Sequence, residues 1–337
     1  MRVLGIESSC DETALALVEK DHGRFTIVKN VVASQIALHA KYGGVVPEVA
    51  ARSHVDVIFP LLKEAGIPHD GQGIDAIAVT SGPGLVPALR IGVELAKTLA
   101  WCWGKPLVGV NHLEGHLSSV WLADGEFPTF PALALLVSGG HTELILMREH
   151  GKYELVGATR DDAVGEAFDK VAKLLGMPYP GGPNVSREAE KGNPNTVAFP
   201  RPMLESGDFD FSFSGLKTAV AVYRADHSET SIPDICASFQ QAVVDVLALK
   251  TLAAIEQFEP ASVLLSGGVS ANTLLRETLR SAVAKGYPDV SFHAPPSEYA
   301  TDNAAMIAVA GIFRSEKKDF IDPTQLAADP NLSLVSL

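Results

Sequence analysis

The chain has 337 residues, 47% of them hydrophobic and 20% charged, with a formal net charge of −13. That length exceeds one typical core and implies two subdomains, and the composition excludes wholesale disorder. The acidic balance excludes a protein that grips nucleic acid by bulk charge alone, because phosphate neutralisation supplies most of such affinity; a nucleic-acid substrate would need a local basic patch or a basic partner.

In chain order, residues 3–6 read as a first buried strand and not as a secretory signal, since Asp11 and Glu12 follow almost at once. A tight polar turn, Glu7-Ser8-Ser9-Cys10-Asp11-Glu12-Thr13, leads into a second strand at 14–18. A helical pattern covers 47–65, and a short strand at 75–79 precedes the turn Ser81-Gly82-Pro83-Gly84. Apolar residues at helical spacing (Leu89, Val93, Ala96, Leu99, Ala100) predict a helix over 86–103. A strand at 107–110 then feeds a helix that begins near Asn111, a suitable N-cap residue.

The opening grammar returns in the middle of the chain as strand 132–137, turn Ser138-Gly139-Gly140-His141-Thr142-Glu143 and strand 144–147. Ile6 and Val137 are the matching positions, 131 residues apart, about the size of one α/β lobe, so the chain reads as a duplicated fold. The Gly/Pro-rich stretch 178–202 reads as an ordered loop beside a site. Helices at 233–258, 272–284 and 302–313 and strands at 262–265 and 290–294 complete two α/β lobes with mixed sheets. Residues after Pro323 read as a loosely held terminus. The expected division is a first lobe at 1–125 carrying His112 and His116, a second at 126–300 carrying glycine turns, and a closing segment at 301–337 whose helix packs back on the first lobe. No apolar run approaches the roughly 18–20 residues of a membrane span. The three cysteines, Cys10, Cys102 and Cys236, form no C-x-x-C pair, which points to free thiols in a reducing cytoplasm.

The sharpest chemical signal is Asn111-His112-Leu113-Glu114-Gly115-His116. Positions i and i+4 of a helix share a face, so His112 and His116 can bind one metal ion; equally, both can be plain polar helix residues. A metalloprotease of the H-E-x-x-H type places its Glu directly after the first His, whereas Glu114 sits two positions on, rotated about 200° from His112, which argues against proteolysis. Two histidines leave a coordination shell incomplete. Asp302, at the mouth of the last helix, is a candidate third ligand, although Thr301 or Asp302 could simply cap that helix. Ser138-Gly139-Gly140 and Ser266-Gly267-Gly268 each follow a strand, where glycines let backbone N–H groups approach an anionic oxygen; a hairpin turn would use Gly-Gly too. G-x-x-x-x-G-K-[ST] and G-x-G-x-x-G are both absent. With Ser81-Gly82-Pro83-Gly84 these make three glycine turns in a duplicated α/β chain, a pattern that suits two lobes clamping a nucleotide. Asp169 could accept from ribose hydroxyls or belong to a solvated Asp–Lys helix face.

Taken together, LGIESSCDET at 4–13, KYGGVVPEVAARSH at 41–54, SGPGL at 81–85, NHLEGH at 111–116, LLVSGGHTEL at 135–144, GEAFDKVAKLLG at 165–176, YPGGP at 179–183, DFSFSGLKTA at 210–219, SGGVSAN at 266–272 and TDNAAM at 301–306 resemble, in order, the TsaD family, also called YgjD or Gcp and once described as O-sialoglycoprotein endopeptidases. The resemblance implies an actin/Hsp70/sugar-kinase-like (ASKHA) α/β fold of two RNase H-like lobes with a nucleotide cleft. It implies transfer of a threonylcarbamoyl group from threonylcarbamoyl-AMP to N6 of the adenosine 3′ of the anticodon, in tRNAs reading codons that begin with adenine, with release of AMP. By position it places one divalent ion, iron or zinc alike, on His112, His116 and Asp302. It places substrate contacts on Leu136, Val137, Ser138, Gly139, Gly140, Asp169, Gly182 and Asn272, with ATP, ADP or AMP able to occupy the same cleft. Asp11 and Glu12 match the family's acidic pair and are candidates to take the amine proton. The resemblance further implies a heterodimer with an inactive TsaB-like partner of the same fold and a TsaE-like P-loop ATPase, which would supply tRNA-binding surface to an acidic chain. Two rivals stand beside this reading: a sugar or acetate kinase-like phosphotransferase, which has no need of the histidine pair, and a non-catalytic scaffold.

Overall fold

The structure, a computed structural model, describes residues 1–335. The chain divides into two compact units, one of Met1–Glu126 with Pro295–Leu337 and one of Phe127–Ala294.

In the first unit, the apolar run after Met1 forms β1 (Arg2–Glu7), the middle of a five-stranded sheet and therefore buried on both faces. It pairs antiparallel with β2 (Glu12–Asp21), which pairs in turn with β3 (Arg24–Ser34). A single helical turn, α1 (Ile36–His39), precedes α2 (Pro47–Glu64), with proline at its first position where a missing N–H costs nothing. Parallel strands β4 (Ala76–Gly82) and β5 (Leu107–Asn111) flank α3 (Val86–Trp103), which ends on left-handed Gly104. The sheet order is β3-β2-β1-β4-β5. Asn111 then starts the short helix α4 (His112–Ser118), all of whose residues are buried.

The second unit repeats this plan. Strands β6 (Ala132–Val137), β7 (Thr142–Glu149) and β8 (Lys152–Ala158) form an antiparallel meander. They are followed by α5 (Val164–Leu174), α6 (Gly181–Ala189), α7 (Ser214–Asp226) and α8 (Ile232–Phe258). Strand β9 (Ser262–Ser266) lies parallel to β6, and after α9 (Thr273–Gly286) the short strand β10 (Ser291–His293) lies parallel to β9. Read from its meander edge, this sheet runs β8-β7-β6-β9-β10, strand for strand the connectivity of the first. The duplication legible in two short hairpins thus extends to whole sheets. Helix α8 is long and apolar enough on average to cross a membrane, yet 67% of its most apolar stretch is buried inside the unit. It packs Phe239 edge-on against Phe168 of α5, ring centroids 5.1 Å apart, in a core with Leu133, Leu135, Phe211, Val243 and Leu265.

The last helix, α10 (Ala304–Glu316), belongs to the first unit and covers the face of its sheet opposite α3. Its approach is close: a side chain on Gly5 of β1 would lie 2.9 Å from the Ala308 backbone nitrogen. Two expectations fail here. Residues 178–202 are not all loop, because Gly181–Ala189 forms α6, its apolar Val185 and Ala189 buried in the core. Nor are residues 324–332 loose: Leu326 is buried and Asp329 N–H donates to Ser81 O at 2.8 Å, while 336–337 lie outside the described residues.

Candidate metal centre

Strand β5 delivers Asn111 to the start of α4, where its Oδ1 accepts the Leu113 N–H at 2.9 Å and caps the helix. One turn separates His112 from His116, and their rings meet edge to face with centroids 4.7 Å apart. Gly115 lies between them on the α10 side; a Cβ there would come within 3.3 Å of Met306 Cγ, so its absence lets α10 approach. That approach brings Asp302 to the histidines. Its Oδ1 lies 3.1 Å from His116 Nε2 and 3.6 Å from His112 Nε2. The cap of α10 is neither Thr301 nor Asp302 but Asn303, whose Oδ1 accepts Met306 N–H at 3.0 Å while its Nδ2 donates to the Thr301 and Tyr299 carbonyls.

One ligand atom from each of His112, His116 and Asp302 lies within 4.8 Å of the others. Metal–ligand bonds of about 2.0–2.2 Å put neighbouring donor atoms roughly 3.0–3.5 Å apart; the 3.1 and 3.6 Å contacts of Asp302 Oδ1 match that spacing, and the widest separation in the set has to close on one ion. Chemistry agrees with geometry. His116 is 1% exposed, and neither ring nitrogen has a hydrogen-bond partner among the described residues. A buried imidazole without such a partner is costly, and a cation at Nε2, the nitrogen that faces Asp302, would satisfy that side of the ring. Glu114 points elsewhere: its Oε2 accepts from Arg314 Nε at 2.7 Å, in keeping with the case against proteolysis.

Glu7, assigned no role from the sequence, organises the other side. It is fully buried at the end of β1, where its Oε2 accepts from Thr80 Oγ1 at 2.5 Å and lies 3.2 Å from His112 Nδ1. Ser9 Oγ is also 3.2 Å from that nitrogen, and Ser9 N–H donates to Glu7 Oε1 at 2.5 Å. A carboxylate on Nδ1 fixes the ring and turns Nε2 toward the ligand position. Burial pulls the His112 imidazole down, but the Asp302 and Glu7 charges outweigh it and push the ring up to about 9. Burial pushes Glu7 up, yet the His112 charge and hydrogen bond hold it below its usual value. The signal in the sequence was a carboxylate closing an otherwise apolar strand.

Asp11 and Glu12 stand in the same turn. Asp11 is buried, and burial together with the charges of Asp302 and Asp11 pushes Glu12 up to about 9. Carboxylates crowded in this way repel one another, and a cation relieves the repulsion. Burial and the nearby carboxylates push the Cys10 thiol well above its ordinary value, so it is no thiolate nucleophile. His54 of α2 braces the turn, its Nδ1 2.6 Å from Thr13 Oγ1 and its Nε2 3.0 Å from Cys10 O.

The residues matched to substrate contacts lie in the second unit. Leu136 and Val137 are fully buried on β6, where Leu136 pairs with Glu143 and Ser266 and Val137 with Thr142. Gly139 and Gly140 are exposed, and a Cβ at either would meet no atom within 4 Å. Ser138 Oγ accepts the His141 N–H at 3.1 Å. Asp169 Oδ1 accepts the Gly181 N–H at 2.7 Å and so fixes the start of α6, next to the open Gly182. Asn272 caps α9 and donates to Ser186 Oγ (2.9 Å) and Gln240 Oε1 (2.8 Å), which commits its amide to protein partners. Asp169, Gly182 and Asn272 are therefore gathered around α6. A cavity of about 380 Å³ opens beside Asn272, lined also by Ser186, Gln240, Thr273 and Glu277. The glycines of Ser81-Gly82-Pro83-Gly84 serve packing: a Cβ on Gly84 would sit 2.6 Å from Ser9 O, and one on Gly82 would strike the Asp329 carbonyl.

The family model described as "TsaD: tRNA N6-adenosine threonylcarbamoyltransferase" matches residues 26–309. A curated relative of that name from Moorella thermoacetica is 50% identical over 340 residues, spanning 98% of this chain and 97% of its own. One from Burkholderia vietnamiensis is 52% identical over 325 residues, spanning 93% of this chain and 92% of its own. Among solved structures, T. kodakarensis HypF matches with a TM-score of 0.65 at 14% identity, over 96% of this chain and 49% of that one. At that identity the likeness shows fold alone, the actin/Hsp70/sugar-kinase-like fold already visible in the twice-used sheet order.

Proposed function

The chain belongs to the TsaD family of tRNA N6-adenosine threonylcarbamoyltransferases, and from that membership we propose that it moves the threonylcarbamoyl group of threonylcarbamoyl-AMP onto N6 of the adenosine 3′ of the anticodon, in tRNAs reading codons that begin with adenine, releasing AMP. The observation that carries the chemistry is the buried pair His112 and His116 closed by Asp302, whose Oδ1 lies 3.1 Å from His116 Nε2.

His112, His116 and Asp302 would hold a divalent ion, zinc or iron by donor type. When bound, such an ion supplies Lewis acidity and an anchor for donor oxygens. The protein's own share is orientation. AMP is a good leaving group in a mixed anhydride, so the demand falls on aligning a weakly nucleophilic aryl amine. Glu7 fixes His112, and Asp11 and Glu12 are the carboxylates assigned to receive the amine proton. In the second unit, the backbone around Ser138-Gly139-Gly140 offers N–H groups to phosphate, and the cavity beside Asn272 has room for the base of an adenylate. A TsaB-like partner and a TsaE-like ATPase would add tRNA-binding surface to a chain of net charge −13.

The test is nucleoside analysis of tRNA incubated with the chain, threonylcarbamoyl-AMP and those partners. Modified adenosine is expected with all components, and strong tRNA binding by the isolated chain would remove the case for borrowed surface. His112→Ala should lose bound metal and at least about 100-fold in transfer rate. Full transfer by that variant, shown to be metal-free, would overturn the metal-assisted reading.

A further inference from the structure

After α10 the chain turns back along the edge of the first unit's sheet. Ile321 N–H donates to Leu107 O at 2.9 Å, and buried Leu326 occupies the space that a side chain on Gly109 would need. Asp329 N–H donates to Ser81 O at 2.8 Å, and Asn111 Nδ2 donates to Leu332 O at 3.0 Å. A Cβ on Gly82 would also lie 2.8 Å from Leu332 Cβ, so the Ser81-Gly82 corner is shaped to the tail that crosses it.

Asn111 is thus held at both ends of its amide. Oδ1 caps α4 through Leu113 N–H, and Nδ2 reaches the tail. Ser, Thr and Asp cap helices about as well as Asn, but only Asn puts a donor on a separate atom from the capping oxygen. The tail carbonyl therefore accounts for Asn at the position before His112.

We propose that residues 321–332 form a strap that orients α4 through Asn111, which makes Asn111 and the Leu332 carbonyl positioning groups for the cation ligands His112 and His116. The inference rests on the cation reading of His112, His116 and Asp302. Without the strap, α4 keeps its cap but loses the bond that fixes the Asn111 amide, and His112, the helix's first residue, gains freedom relative to Asp302.

Co2+ alone is the probe, added to purified full-length chain. Its affinity is read by competition with a chromophoric chelator, and its visible absorption reports ligand geometry. The variants are a chain ending at Ala328, Asn111→Ser, which keeps a capping oxygen but cannot span to Leu332, and the two combined. Each alone should weaken Co2+ binding by about tenfold and shift the spectrum. The combination should weaken binding no more than the truncation alone, since the Asn111–Leu332 bond can be lost only once. A truncated chain with the full-length affinity and spectrum overturns the strap, as do losses that add. If the truncated chain does not fold by circular dichroism, Asn111→Ser decides: full-length affinity and spectrum overturn the proposal, and a tenfold loss with a shifted spectrum upholds it. Full-length chain that takes up no Co2+ overturns the cation site itself, a failure visible before any variant is compared.

Discussion

The same corner is built twice in this molecule, and the two copies have been put to opposite uses. In the first unit Glu7 pairs with Ala14, and the six residues between them are mostly buried and include Asp11 and Glu12. In the second, Val137 pairs with Thr142, and the four residues between them end β6 in a partly open turn with two exposed glycines. Where the first strand closes on a carboxylate aimed at His112, the second closes on a valine in the core. One topology thus yields an anionic corner against His112 and a partly open corner with two exposed glycines. The sheet order dictates where a corner lies; the side chain ending the strand dictates its charge.

Three substitutions test that contrast. Glu7→Gln should act most strongly, because it removes the charge that orients His112 while keeping the shape of the side chain. Cation affinity should fall by about 10–100-fold in a chelator competition, and an unchanged affinity would make Glu7 merely structural. Gly84→Ala attacks the packing of the first corner, since the new Cβ would sit 2.6 Å from Ser9 O. It should destabilise the fold by about 1–3 kcal/mol in chemical denaturation, as overpacking does. Gly140→Ala is the mildest, with nothing within 4 Å of the added carbon. Stability should stay within about 0.5 kcal/mol of the parent. The KM for the donor should rise by about tenfold if the turn's N–H groups meet phosphate, the equivalent of about one hydrogen bond. An unaltered KM would remove the second corner from the substrate site.

Much of this was legible in the residues. The helix over 86–103 and the cap at Asn111 follow from apolar spacing and N-cap chemistry, and the structure has them at Val86–Trp103 and Asn111. The two hairpins announced the duplication. The short helix Gly181–Ala189 was hidden by its glycines and proline, residues that ordinarily mark a turn, and it forms because Val185 and Ala189 find a core. Glycines misled in another way. Those at 82 and 84 resemble a phosphate turn in sequence, whereas their missing side chains make room for the tail and for Ser9.

By itself, then, the sequence determined the strand–turn–strand repeat, the i, i+4 spacing of His112 and His116, and the exclusion of Glu114 from their face, all of which are local consequences of backbone period. Only the tertiary structure decided which distant groups complete the site. Asp302 arrives because Gly115 and Gly5 let α10 lie close, Glu7 reaches Nδ1 of His112 from β1, with β4 between it and β5, and Leu332 returns from the tail to hold Asn111. Hydrogen bonds and ligand bonds act over about 3 Å regardless of separation along the chain, so such partners become visible only when packing brings them together.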